Sequence, residues 1–125
     1  MFYSFPLTVP ANTLESAPTT LACKLTSGTI ERVDVQFPPG CAGLVHVALT
    51  HALHQLWPSN PDGSFAADGY VISFNEDLPF KTAPYVLTLT GWSDDDTYGH
   101  TVTVRIGVRR AGGVPDWMKT LLGVE

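Results

Sequence analysis

Thr29-Ile-Glu-Arg-Val-Asp-Val-Gln-Phe37, followed at once by Pro38-Pro39-Gly40, decides the fold class of this chain. Val33, Val35 and Phe37 fall on one side of an extended backbone, and Arg32, Asp34 and Gln36 on the other. Successive side chains of a strand point to opposite faces, so this alternation predicts a half-buried β-strand. Neither proline of the pair that follows can donate to a ladder, and Gly40 relieves the turn, so the strand stops there. Just upstream, Ser27-Gly28 is a turn that separates this strand from another over Thr19–Thr26.

The same reading extends outward in both directions. Phe2–Val9 is a first strand or an extended arm, and Pro6 and Pro10 keep it from a central place in a sheet. It is either an edge strand of its own subunit or an arm that packs on a neighbour. Asn12–Pro18 is polar and connects. Leu44–Trp57 alternates long enough to predict one bulged strand, with a helical turn over Ala52–Leu56 as the alternative. Pro58-Ser-Asn-Pro-Asp-Gly63 and Asp68-Gly69 are turns, with Ser64–Ala67 extended between them. Tyr70–Phe74 is a strand that the polar run Asn75–Pro79 is expected to end. Tyr85–Thr90 and Thr101–Val108 are strands, and Gly91–His100 is the expected long hairpin between them.

Some seven or eight short strands with Pro/Gly/Asp turns predict an all-β fold. The expected architecture is an antiparallel two-sheet β-sandwich, jelly-roll-like, with an extended N-terminal arm and a short C-terminal helix. The expected division is residues 1–18 as arm or edge strand and linker, 19–110 as the sandwich, and 111–125 as a tail. In that tail Pro115–Leu122 suits a short amphipathic helix after Gly112-Gly113.

Composition removes several function classes. The 125 residues suit one domain, and 44% apolar residues supply a core. The formal charge of −5 opposes nucleic-acid phosphates and anionic lipid. Arg105, Arg109 and Arg110 are the best basic patch, and they lack interleaved aromatics, so no direct nucleic-acid partner is expected. No apolar run approaches the roughly 20 residues of a membrane helix, and the N-terminus lacks a signal-peptide pattern. Cys23 and Cys41 lie in apolar settings without Cys-x-x-Cys spacing, so two buried thiols are expected, with one disulfide as the alternative.

Candidate sites come from loops and strand faces. His46 and His54 share parity but stand about 26 Å apart on a straight strand at about 3.3 Å per residue, too far for one ion. His51 and His54 meet only if the chain turns helical, and no metal site is expected. Asp94, Asp95 and Asp96 concentrate oxygen ligands, and Asn75, Glu76 and Asp77 join them for calcium only if the loops share one end. Trp92 and Tyr98 flank that acidic loop and, with Trp57, are candidates for stacking a sugar or a protein ligand. The chain has no nucleophile elbow, no phosphate-cradling glycine loop and no His-Glu-x-x-His helix, so neither an enzyme nor a cofactor is expected.

Three segments resemble those of small structural proteins of tailed bacteriophages: Phe37-Pro-Pro-Gly-Cys-Ala-Gly-Leu-Val-His-Val47, His54-Gln-Leu-Trp-Pro-Ser-Asn-Pro-Asp-Gly63 and Gly91-Trp-Ser-Asp-Asp-Asp-Thr-Tyr-Gly-His-Thr-Val-Thr-Val-Arg105. The resemblance covers roughly residues 20–110. It implies a β-sandwich or jelly-roll virion protein that decorates a capsid, lines a connector or forms part of a tail. It also implies partners that are other copies of the chain and other virion proteins, and no catalytic residue. On that reading the terminal apolar residues Phe2, Tyr3, Phe5, Trp117, Met118 and Leu121 are the candidate assembly contacts. The alternative is a carbohydrate- or ligand-binding module built on Trp57, Trp92, Tyr98 and Asp94–Asp96.

Overall fold

The structure, a computed structural model, describes residues 1–110. The expected terminal helix, with Trp117, Met118 and Leu121, lies outside the described residues. Those described form strands β1 (Phe2–Val9), β2 (Thr19–Lys24), β3 (Gly28–Phe37), β4 (Val45–His51), β5 (His54–Trp57), β6 (Tyr70–Phe80), β7 (Val86–Ser93) and β8 (His100–Arg109). The strand orders are β1-β8-β3-β6 in one sheet and β2-β7-β4-β5 in the other.

The pairing is nested. β1 meets β8, β2 meets β7, β3 meets β6 and β4 meets β5, all antiparallel. The chain is therefore one long double-stranded ribbon folded at its middle, then rolled so that β3 also meets β8 and β4 also meets β7. That is the two-sheet jelly roll that the strand pattern predicts. Period two then fills the interior. Val33 and Val35 of β3, Val45 and Val47 of β4, Leu87 and Leu89 of β7, and Val102, Val104 and Ile106 of β8 are fully buried between the sheets. Each such side chain contributes about 1.5–3 kcal/mol by leaving water.

Three sequence expectations need correction. Leu44–Trp57 is not one strand. Ala52 and Leu53 take left-handed φ values of 50° and 70°, the conformation of a tight two-residue hairpin turn whose twist matches the flanking strands. A register shift between Leu49 and Thr50 then pairs Leu49 with Trp57. The extra residue of that bulge restores the odd parity of the inward-facing positions, so the alternation runs unbroken through a reversal of direction.

Asn75–Pro79 does not end its strand either. β6 runs on to Phe80 because Leu78 and Phe80 continue its inward column, and Pro79 is tolerated because β6 is a sheet edge. Gly91–His100 is not a hairpin loop, since β7 and β8 belong to different sheets and residues 94–99 cross between them. Phe2–Val9 is the edge strand of its own subunit, in register with β8 from Phe2 opposite Gly107 to Val9 opposite His100.

The roll puts the loops at two ends. Residues 10–18, 38–44, 58–69 and 94–99 share one end, tied by backbone bonds from Asn12 N to Asp95 O (2.8 Å), Asp94 N to Leu44 O (2.9 Å) and Gly69 N to Pro38 O (3.2 Å). Residues 25–27, 52–53 and 81–85 share the other, where Leu25 N donates to Tyr85 O (2.9 Å).

Candidate functional site

The acidic loop 94–99 is held by its own aspartates. Asp95 is buried, and its Oδ1 accepts from the amides of Thr97 (2.8 Å) and Tyr98 (3.2 Å), while His100 Nε2 donates to its Oδ2 at 2.7 Å. The His100 hydrogen bond above all, then the Thr97 and Tyr98 amides, hold the Asp95 carboxyl below the ordinary carboxylate range. Asp94 instead faces His46 at 3.4 Å, and Asp96 Oδ1 accepts from Thr97 Oγ1 at 2.9 Å. The three carboxylates thus diverge. Asn75–Asp77 lie in the middle of β6 rather than at this end, so the shared calcium arrangement does not form. Among the described residues, no group of three or more His, Cys, Asp or Glu side chains could hold a metal ion.

His46 sits directly across the ladder from Trp92, and the two rings stack with centroids 5.6 Å apart and planes 10° from parallel. The loop brings Ser64 beside it because Phe65 exchanges two backbone bonds with Val47 (2.8 and 3.0 Å). Ser64 Oγ then lies 3.0 Å from His46 Nδ1, with Asp94 on the other ring nitrogen. A serine, a histidine and an aspartate in a row is the order nucleophile activation uses. Here the carboxylate contact is long and 70% exposed, so it holds the ring weakly. Neither of the two clefts described below borders Ser64. His51 and His54 pair across the hairpin, and His51 Nε2 bonds the carbonyl of Pro84 at 3.0 Å.

The aromatic candidates separate. Tyr98 is 68% exposed at the acidic end, Trp92 is half-buried under His46, and Trp57 is buried. Trp57 is nonetheless part of the wall of a cleft of about 210 Å³, shared with Pro58, Ser59, Phe65, Phe74 and Glu76. A second, more enclosed depression of about 370 Å³ adjoins it, lined by Thr50, Leu53, His54, Gln55, Ser59 and Pro61. Gln55 holds the loop between them, its Nε2 reaching the carbonyls of Pro58 (2.8 Å), Asn60 (3.0 Å) and Gly63 (3.2 Å). The chain matches no family model and no curated protein.

Among the candidate assembly contacts, Phe2 is exposed on the outer face and reaches over Gly107. Tyr3 and Phe5 turn the other way and pack against the core, their rings 6.1 Å apart and nearly parallel. Tyr3 also bonds Thr26 Oγ1 at 2.9 Å. Cys23 and Cys41 are both free and buried. Burial pushes the Cys23 thiol up to about 11; burial first, then Asp68 and Asp95, raise Cys41.

Sequence reasoning missed the cleft residues Phe65, Phe74 and Glu76 as a group. Their signal was present in part: Ile72, Phe74, Glu76, Leu78 and Phe80 form one period-two column, with a carboxylate at an apolar position.

Proposed function

We propose that the protein is a non-enzymatic assembly subunit of a virion, of the capsid-decoration, connector or tail kind found in tailed bacteriophages. The observation that carries this reading is the polarity of the jelly roll. Glu15, Asp62, Asp68, Asp94, Asp95 and Asp96 lie in the loops of one end, and those loops contain no Lys or Arg. Lys24, Lys81, Arg110 and the amino group of Met1 lie toward the other end, as does Arg109, which there faces Asp77 (3.5 Å) and Glu31 (3.9 Å). Exposed apolar side chains accompany both, with Leu14, Leu44 and Tyr98 at the acidic end and Met1 and Leu53 at the basic end. Unlike ends favour head-to-tail contacts between copies, which close into rings or stack.

The partners on this reading are other copies and other virion proteins, with the chain in the host cytoplasm before assembly. Arg32 and Arg105 do not support a nucleic-acid face, because they are engaged by Asp34 (3.1 Å) and Gln36 (2.6 Å). No helix among the described residues is long and apolar enough to cross a membrane.

Light scattering after size exclusion, across protein concentration and salt, tests the proposal. The expected result is a species several times the 13.5 kDa chain mass that dissociates as salt screens the ends. A monomer at every concentration, with no association to other virion proteins, overturns it. A second reading, a carbohydrate- or ligand-binding module, is favoured by the exposed Tyr98 beside the polar Asp96–Thr97 rim. Glycan binding that Tyr98→Ala abolishes supports that reading instead.

A further inference from the structure

We infer that the cleft between β5 and β6 is a binding site for a small organic cation of the methylated-ammonium class, a property separate from assembly. β5 is the edge of one sheet and β6 the edge of the other, so the cleft is the open side of the sandwich. Three aromatic rings meet there. Trp57 and Phe74 have centroids 6.0 Å apart with planes at 59°, and Phe65 and Phe74 are 5.8 Å apart at 32°. Rings tilted against one another around one space cannot all stack on a flat ligand, and they suit a rounded one.

Glu76 supplies the charge. It sits in the inward column of β6 between Phe74 and Leu78, half-buried, and borders the same cleft. Among the described residues its carboxylate makes no hydrogen bond or ion pair. A carboxylate in an aromatic setting without a partner disfavours anions and leaves a cation the complementary ligand. Methylated ammonium fits better than a metal ion, which would need several oxygen ligands at once. It fits better than a sugar, whose hydroxyls would find few polar groups on this wall. The cleft, about 210 Å³, is below the roughly 300 Å³ at which drug-sized pockets begin, so the occupant is compact. A charge turned inward on an edge strand also deters pairing with another sheet, and the test separates that role from binding.

The experiment titrates the full-length protein with choline and, in parallel, with its neutral tert-butyl analogue at matched ionic strength. Ring resonances of Trp57, Phe65 and Phe74 are followed by NMR. The expected result is a saturable shift confined to those rings, roughly tenfold weaker for the neutral analogue, as a cation–π and ion-pair contribution requires. Glu76→Gln should weaken choline by a similar factor while leaving the neutral analogue unchanged. Equal response to both ligands, or no saturable shift with choline, overturns the inference. So does a Glu76→Gln variant that changes only the association state, which assigns the carboxylate to edge protection. The comparison of the two ligands uses the unaltered protein, so a folding defect in the variant does not spoil it. The association state itself, which tests the assembly proposal, is read separately by light scattering.

Discussion

The two long edges of this sandwich are built differently. On the β1/β2 side the sheets close on each other. Gly91 of β7 faces inward with no side chain, and Leu7 and Val9 of β1 fill the space, so a Cβ on Gly91 would lie 2.8 Å from Val9 Cγ2 and 3.0 Å from Leu7 Cδ2. The stacked Tyr3 and Phe5 rings continue that seal. On the β5/β6 side the facing residues are Trp57, Phe65 and Phe74 with Glu76 among them, and a cleft remains. A glycine opposite aliphatic side chains permits close approach of two sheets, whereas aromatic rings with a carboxylate keep them apart. One edge is closed by packing and the other is left open.

Gly91→Ala is the strongest test of the closed edge. Overpacking of this kind costs about 1–3 kcal/mol, which urea unfolding would read. Alkylation of Cys23, a buried thiol on neighbouring β2, should quicken in the folded variant. Adding Val9→Ala should make the double variant less destabilised than the sum of its parts, because the two changes meet in one contact. Strict additivity would show that this edge is not close-packed.

Phe74→Leu probes the open edge. Phe74 is only half-buried, and a hydrophobic swap of this kind costs less than about 1.5 kcal/mol. The same urea measurement ranks the two edges, and a larger loss for Phe74→Leu than for Gly91→Ala would reverse the comparison.

The smallest effect belongs to the loop end that spans both edges. The folded-state pKa of Asp95 lies below its ordinary value. The stability it adds is therefore complete above the unfolded carboxylate value of about 3.9 and is lost as pH falls through the lower folded value. Thermal melts from neutral to strongly acid pH should show a shallower acid loss in Asp95→Asn than in the unaltered protein. Parallel curves would remove Asp95 from the account of the loop's stability.

Much of this was legible along the chain. The columns Val33–Val35–Phe37 and Val102–Val104–Ile106 were visible as alternation and are buried as that alternation requires. The edge position of β1 followed from its prolines. The reversal at Ala52-Leu53 was not legible, because neither residue favours positive φ and the bulge hid the change of direction. Glu76 was visible as a polar residue but not as an inward one, since the run Asn75–Pro79 looks like a turn until pairing with β3 carries the strand on to Phe80 and its inward column faces the other sheet. The His46–Ser64–Asp94 row joins residues from one strand and two loops, and no local pattern relates them.

Period two is a property of neighbours along the backbone, so composition and alternation were enough to specify strands, their inward faces and an all-β sandwich. Which strand pairs with which is a property of the rolled ribbon. Gln36 and Arg105 become partners at 2.6 Å across 69 residues, and β7 and β8 separate into different sheets although they are consecutive. Only that folding brought Trp57, Phe65, Phe74 and Glu76 to one cleft and gathered the loops that carry Glu15, Asp62, Asp68 and Asp94–Asp96 at one end. Long-range contacts like these depend on how whole faces bury against each other, and no short window of sequence contains that information.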